Sequence, residues 1–135
     1  MIRLATNEDI AFLVRHDEHI APALFAQKLE RREIYVACEG GKLIGWLRYS
    51  LFWDMIPFMN MLELLPEYRG KGLGRQLVLF WEEEMRAQGH KRVMTSTQQN
   101  EFAQHFYTRL SYNAVGGFAL PGDVYELMMA KEIAQ

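Results

Sequence analysis

A strand, a glycine-rich turn and a helix follow one another in the middle of the chain, and this succession constrains the fold most. The apolar run from Pro57 to Leu65 is typical of a buried strand. Pro66 ends the strand, because proline has no N–H to continue a β-ladder. Glycines follow at alternate positions, as Gly70, Gly72 and Gly74, and an amphipathic helical pattern begins directly after them.

The turn has the features of an anion-binding loop. Glycine permits positive φ and a close approach of a ligand to the main chain, and the start of a helix presents unpaired N–H groups. Arg69 and Lys71 alternate with the glycines and suit a diphosphate. A solvated basic loop is the alternative, because glycine-rich patterns also occur by chance. Arg75-Gln76 after the last glycine exclude the G-x-x-x-x-G-K-[ST] loop, and the spacing differs from the dinucleotide fingerprint.

Composition narrows the classes of partner. The 135 residues predict one domain, residues 1–135, and the net charge of −2 gives no general attraction to nucleic acid or to an anionic membrane. The single cysteine, Cys38, excludes an internal disulfide and favours a reducing compartment, so we expect a cytoplasmic protein. Cys38 lies in a strand-like run, where a buried thiol is expected rather than a nucleophile. We recognise neither a signal peptide nor a membrane span.

Apolar periodicity and turn residues predict the element order β-α-α-β-β-β-α-β-α-β-β. Thr6 is expected to cap the first helix with Asp9 as its capping-box partner, and Gly40-Gly41 to form a hairpin turn. Short connections imply antiparallel pairing of the strands before the glycine turn. The strand after the long helix should run parallel to the central strand, because a helix intervenes. We therefore expect an α/β domain with a mixed sheet.

Two helices contain polar and aromatic residues whose placement can be tested. On the long helix, from about Arg75 to Gln88, we expect Glu82 to lie on a solvated outer face. Asn100 is expected to cap a helix running from Glu101 to Leu110. Its buried stripe should comprise Phe102, Phe106 and Leu110, with Tyr107 at the edge of the stripe. His16 and His19 could share a metal on one helix face, but no third ligand is evident, so we expect no metal.

Two motifs together give the chain a family resemblance. Arg69, Gly72 and Gly74 match the pattern Q/R-x-x-G-x-G/A, and Asn100 is followed by Tyr107 seven residues later. In these features and in its element order, the chain resembles the GNAT superfamily of N-acyltransferases over essentially its whole length. The resemblance implies a single α/β domain with a mixed, mostly antiparallel sheet of six or seven strands. It also implies a splayed central parallel pair and about four flanking helices.

The resemblance implies acetyl-CoA, or another acyl-CoA, as donor. Its pyrophosphate would take backbone N–H groups from Arg69, Gly70, Lys71, Gly72, Leu73 and Gly74. Its pantetheine arm would pair with the backbone of Leu62, Glu63 and Leu64, and Asn100 would bind nearby. Tyr107 would be the general acid that protonates the departing thiolate, a role that a tyrosine can fill. A core-edge aromatic is the alternative for Tyr107.

The chain departs from the family pattern where a general base is often found. Thr95 stands where many members carry a glutamate, and the inner face of the central strand, with Phe58, Asn60 and Leu62, offers no base. A catalytically weak or inactive CoA-binding sensor is therefore the alternative function. Ser111 replaces a glycine that is usual after the last helix, which costs little if the turn needs no positive φ.

The acceptor is expected to be a primary amine, on a small molecule or a protein. Phe52-Trp53-Asp54 lies between the third and fourth strands, where the family's acceptor cleft opens. Trp53 would supply a cation–π face, Asp54 would recognise the ammonium, and Asn60 would orient the neutral amine. The alternative is that this segment is a structural turn and that the N-terminal helices bind the acceptor. A homodimer is also expected as one state, because dimers are common in the family.

Overall fold

The computed structural model describes residues 1–134, which form seven strands and four α-helices. The strands are β1 Ile2–Leu4, β2 Ile34–Glu39, β3 Lys42–Phe52, β4 Ile56–Leu64, β5 Arg92–Gln98, β6 Asn113–Phe118 and β7 Glu126–Glu132. The helices are α1 Ile10–His16, α2 Phe25–Glu30, α3 Leu73–Ala87 and α4 Ala103–Arg109, with short 3₁₀ segments at Asn7–Asp9, Pro22–Leu24 and Pro66–Tyr68. The predicted order of elements is confirmed.

The strands form a mixed sheet with the order β1-β2-β3-β4-β5-β7-β6. The pairs β1–β2, β2–β3, β5–β7 and β6–β7 are antiparallel. Strands β4 and β5 are parallel, with Phe58 opposite Met94 and Met59 opposite Thr95. The connection through α3 explains this direction, because parallel neighbours need a crossover. The predicted α/β class with a mixed, mostly antiparallel sheet is confirmed.

The chain forms two compact units, and β3, β4 and α3 contribute residues to both. The first unit comprises Met1–Tyr49 and Met61–Trp81, and the second comprises Ser50–Asn60 and the chain from Glu82 onward.

A buried ion pair lies in the first unit. Asp17 and Arg48 are 3% and 5% exposed, and Arg48 Nε donates to Asp17 Oδ2 at 2.9 Å. Trp46 Nε1 donates to the same oxygen at 3.2 Å. Buried charges are tolerated when they are paired and hydrogen-bonded, as here. At the start of the chain, the predicted capping box is present, because the Asp9 carboxylate accepts the Thr6 N–H at 2.7 Å.

The prediction that Glu82 is solvated is wrong. Glu82 is 2% exposed, and its carboxylate accepts hydrogen bonds from Tyr112 Oη at 2.8 Å and from Lys131 Nζ at 2.7 Å. Both partners are far away in sequence, so the periodicity of α3 alone could not reveal them. Burial, together with the adjacent Glu82 carboxylate, raises the pKa of Tyr112 well above its usual value.

The prediction for α4 is also wrong in its start and its buried face. The helix begins at Ala103 with Phe102 as its N-cap residue, so Asn100 lies in the preceding turn. Phe102 is 89% exposed, whereas Tyr107 and Leu110 are 7% and 6% exposed. Leu110 is buried as predicted and Phe106 is half-buried, so the buried face is centred one residue further along than predicted and includes Tyr107.

The turn after α4 decides the conditional expectation for Ser111. Ser111 has φ of +74°, so the turn does use the positive φ that a glycine would adopt more readily. The N–H groups of Ser111 and Tyr112 donate to the carbonyls of Thr108 and Tyr107, each at 3.0 Å, and close the helix end.

Candidate active site

The glycine turn joins the 3₁₀ segment Pro66–Tyr68 to α3 and has the backbone that the sequence predicts at two of its three glycines. Gly70 and Gly72 have φ of +76° and +83°. A Cβ added at either position would meet no heavy atom within 4 Å, so the space beside the main chain is open. Gly74 instead lies in the first turn of α3.

Six consecutive backbone N–H groups are available at this turn. The first α-helical hydrogen bond of α3 runs from Gln76 N–H to Gly72 O at 3.1 Å. Within the described residues 1–134, no backbone carbonyl accepts a hydrogen bond from the N–H groups of residues 70–75. Such a run at a helix N-terminus, where the helix dipole is positive, favours an anion.

The two cations beside the turn differ in what they contact. Arg69 Nε donates to Leu64 O at 3.0 Å, and Nη2 donates to Glu63 Oε1 at 2.5 Å. Arg69 therefore ties the turn to the end of β4. Lys71 Nζ lies 5.5 Å from the centroid of the Tyr68 ring and makes a cation–π contact. Glu63, predicted to act through its backbone, thus also has an ion-pairing role through its side chain.

Tyr107 lies in the second unit beside Thr95. The Tyr107 phenol is hydrogen-bonded with the Thr95 hydroxyl, and Thr95 Oγ1 donates to Met59 O at 3.0 Å. Burial is the main cause that raises the pKa of Tyr107 to about 12. The phenol is therefore protonated at neutral pH, which is the form that a general acid requires.

The turn that contains Asn100 is held by other side chains. Gln104 Nε2 donates to Gln99 O at 2.6 Å, and Thr97 Oγ1 lies 3.3 Å from Glu101 Oε2. Asn100 itself is exposed. Its side chain is therefore free of the capping role that the sequence predicted and is accessible to a ligand.

The predicted acceptor residues lie on and beside a tight turn between β3 and β4. Trp53 and Asp54 have φ of +56° and +59°, and Met55 N–H donates to Phe52 O at 3.1 Å. Two central residues with positive φ define a hairpin turn that usually contains glycine or asparagine. Trp53 is 74% exposed, and Asp54 is also exposed. Asn60 Nδ2 donates to Ser50 Oγ at 2.7 Å.

Sequence reasoning missed a pocket of 410 Å³ in the second unit. Its lining includes Phe52, Phe58, Phe118, Leu120, Asp123 and Glu126. The strand register explains this grouping, because Glu126 of β7 pairs with Gln98 of β5 on one side and with Phe118 of β6 on the other. The sequence signal was the pairing of the two last strands, which brings the turn at Pro121-Gly122 and its acidic neighbours to one end of the sheet.

Residues 1–134 hold no group of three or more His, Cys, Asp or Glu that could bind a metal ion. Over the same residues, no helix is both long enough and apolar enough to cross a membrane.

Comparison with known proteins identifies one family. The family described as "Acetyltransferase (GNAT) family" matches residues 3–112. Among curated proteins, none matches the chain in sequence.

Solved structures resemble the chain in fold. Ard1 from Thermoplasma volcanium superposes with a TM-score of 0.87 at 16% identity, covering 100% of this chain and 98% of that one. The ribosomal-protein-S18-alanine N-acetyltransferase from Escherichia coli has a TM-score of 0.82 at 17% identity, covering 100% of this chain and 94% of that one. An aminoglycoside 6'-N-acetyltransferase complexed with coenzyme A has a TM-score of 0.81 at 18% identity, covering 100% of this chain and 98% of that one. At these identities the likeness establishes the fold.

Proposed function

The chain belongs to the GNAT acetyltransferase family, and we propose that it transfers the acetyl group of acetyl-CoA to a primary amine. The observation that carries the proposal is the glycine turn, with free N–H groups at residues 70–75 and open space beside Gly72. When bound, acetyl-CoA supplies an acetyl thioester for the amine to attack. The coenzyme A bound to the aminoglycoside acetyltransferase supports this choice of donor.

The residues around the turn fit the donor. Of the N–H groups predicted to hold its pyrophosphate, those of residues 70–74 are free, whereas the Arg69 N–H donates to Pro66 O at 3.3 Å. The helix dipole of α3 would add to the attraction. Lys71 would add a positive charge, whereas Arg69 is engaged with Glu63 and Leu64 and would act mainly by fixing the turn. The backbone of residues 62–64 would pair with the pantetheine arm, and the exposed Asn100 would bind that arm through its side chain.

Tyr107 would act as the general acid. The amine nitrogen forms a bond to the acetyl carbon, the C–S bond breaks, and the leaving thiolate takes the phenolic proton of Tyr107. A raised pKa keeps the acid protonated over the whole assay range.

The proton of the ammonium would leave through water. Thr95, at the place where a base is often found in the family, donates its only proton to Met59 O and is not a base. The rate should therefore rise with pH until the acceptor amine is itself neutral. Among the sequence-based candidates for the acceptor site, Trp53 and Asp54 are exposed, and Asn60 donates to Ser50. Their roles remain predictions.

The acceptor is proposed at the level of its chemistry, a primary amine. The printed names of the similar structures include an alanine of a ribosomal protein and an aminoglycoside, so acceptors across this fold are both proteins and small molecules. The alternative function, a CoA-binding sensor without turnover, is favoured by one observation, the threonine at position 95 in place of a base.

Amine-dependent release of CoA distinguishes the two functions. The proposed enzyme should release CoA from acetyl-CoA in proportion to amine turnover and yield an equal amount of N-acetylated amine. A sensor should bind acetyl-CoA, as measured by calorimetry, without any amine-dependent release.

A further inference from the structure

We propose that the pocket between Phe52, Phe58 and Phe118 binds the acceptor, and that this acceptor is a small primary ammonium compound with an aromatic or apolar body. The inference rests on the proposed function and names the substrate class of the same reaction. The pocket has a volume of 410 Å³, which lies within the range of small-molecule sites. All of its lining residues belong to the second unit.

The walls of the pocket are aromatic and apolar. The rings of Phe52 and Phe58 stack with centroids 5.9 Å apart and an interplanar angle of 27°. Phe118 and Leu120 are 47% and 59% exposed, although both are large apolar side chains. Exposed apolar surface concentrated in a concavity marks a binding site more often than scattered exposure does. An apolar ligand body would cover these side chains.

The charge of the pocket is purely negative. Asp123 and Glu126 line it, and none of its lining residues is Lys, Arg or His. A second pocket of the same unit offers an internal comparison, because its charged residues are Arg92 and Glu132, which pair with each other at 2.5 Å. Of these two pockets, the one lined by Asp123 and Glu126 therefore has uncompensated negative charge, and that charge attracts a cation.

Glu126 has a location that favours a ligand cation. It lies on β7 between β5 and β6, where the side chain is half-buried. No ion pair among residues 1–134 includes Glu126 or Asp123. A half-buried carboxylate without a cationic partner in the chain is open to an ammonium ligand. The stacked phenylalanines add a cation–π face.

The opposite ends of such a ligand would meet different surfaces. The ammonium would lie against Asp123 and Glu126, and the apolar body against Phe52, Phe58 and Phe118. Asp54, the carboxylate that sequence reasoning favoured, does not line this pocket. Asp54→Asn therefore distinguishes the two candidate acceptor sites, because Asp54 and Asp123 are both exposed aspartates of the second unit and only Asp123 lines the pocket.

The test is direct binding of 2-phenylethylammonium to the full chain by titration calorimetry or NMR, with saturating CoA. Ethylammonium, which lacks the ring, and 3-phenylpropionate, which has the opposite charge, are the matched probes. The wild type should bind 2-phenylethylammonium at least about tenfold more tightly than either probe. The Asp123→Asn/Glu126→Gln double variant should lose at least about tenfold in affinity, and Asp54→Asn less than about twofold; each tenfold corresponds to about 1.4 kcal/mol.

Equal binding of the three probes to the wild type overturns the inference, and this readout needs no variant. Unchanged affinity in the double variant, or a larger loss in Asp54→Asn, also overturns it.

Failure of the pocket inference and failure of the proposed function give different results. If CoA is released with other amines while 2-phenylethylammonium is neither bound nor acetylated, the pocket inference is wrong and the acetyltransferase proposal stands. If the protein acetylates a peptide amino group in preference to all arylalkylamines, the pocket inference is likewise wrong and the acetyltransferase proposal stands. If 2-phenylethylammonium binds but no amine releases CoA, the proposed function fails, and the pocket is not an acceptor site.

Discussion

Gly72→Ala is the substitution that most directly separates donor binding from folding. Gly72 has φ of +83°, and a Cβ added there meets no heavy atom within 4 Å. The methyl group therefore meets no neighbouring atom in the free protein, and the substitution is strained only by the positive φ. It would project into the open space that a bound pyrophosphate needs for contact with the N–H groups of the turn.

The expected magnitudes follow from this geometry. Positive φ costs an L-residue about 1–2 kcal/mol, so the free variant should melt roughly 5 °C lower. Acetyl-CoA at about 100 times its dissociation constant should stabilise the wild type by about 2.7 kcal/mol, or roughly 10 °C. Loss of two charge-assisted hydrogen bonds, at about 1.4 kcal/mol each, weakens binding about 100-fold. The same ligand concentration then stabilises Gly72→Ala by only about 0.4 kcal/mol.

Thermal unfolding with and without acetyl-CoA measures both effects. Gly89→Ala is the matched control, because Gly89 has φ of +91°, has no heavy atom within 4 Å of an added Cβ, and follows the far end of α3. It should show a similar loss in the free protein and the full wild-type shift with acetyl-CoA. A full shift in Gly72→Ala, or equal loss of the shift in both variants, would refute the assignment of the turn as the donor site.

Three further predictions concern buried groups of the second unit. Tyr107→Phe should lower kcat about ten- to a thousandfold with little change in the KM for acetyl-CoA. The control, Tyr112→Phe, should lower stability and leave kcat near the wild-type value. Wild-type turnover in Tyr107→Phe would mean that Tyr107 is structural. Glu82→Gln should reduce the free energy of unfolding by about 3 kcal/mol in urea titrations, because Lys131 loses its buried partner, and a change below about 1 kcal/mol would contradict this. Burial raises the pKa of folded Tyr107 to about 12, whereas the unfolded value is near 10. Its contribution to stability is therefore constant below about pH 10 and falls by about 2.7 kcal/mol in total as pH rises through 12. Tyr107→Phe should lack this part of the alkaline loss.

The local signals in the sequence were reliable where a few neighbouring residues determine the structure. The capping box of Thr6 and Asp9 and the positive φ of Gly40 and Gly41 agree with prediction. The long helix was predicted from about Arg75 and begins at Leu73. In each case the hydrogen bonds or backbone angles are fixed within a few residues, so propensity and spacing suffice.

The wrong predictions concern residues whose burial depends on partners that are distant in sequence. The position of Glu82 in α3 is typical of a solvated residue, but Tyr112 and Lys131, which come later in the chain, donate hydrogen bonds to its carboxylate. In α4, Phe102 precedes the helix and is exposed, whereas Tyr107 is buried among distant residues that include Thr95 of β5. The acidic aromatic pocket required the register of three strands, which periodicity does not specify. The residues proposed for donor, acid and acceptor remain predictions that the variants above test.

The most direct test of the central claim is the formation of N-acetylated amine from acetyl-CoA labelled with ¹³C in the acetyl group, followed by mass spectrometry across a panel of primary amines. We expect a labelled product in equal amount to the CoA released, a rate that saturates with amine, and a rise of that rate as pH approaches the pKa of the amine. Tight binding of acetyl-CoA with no labelled product from any amine between pH 7 and 9 would contradict it and favour the sensor.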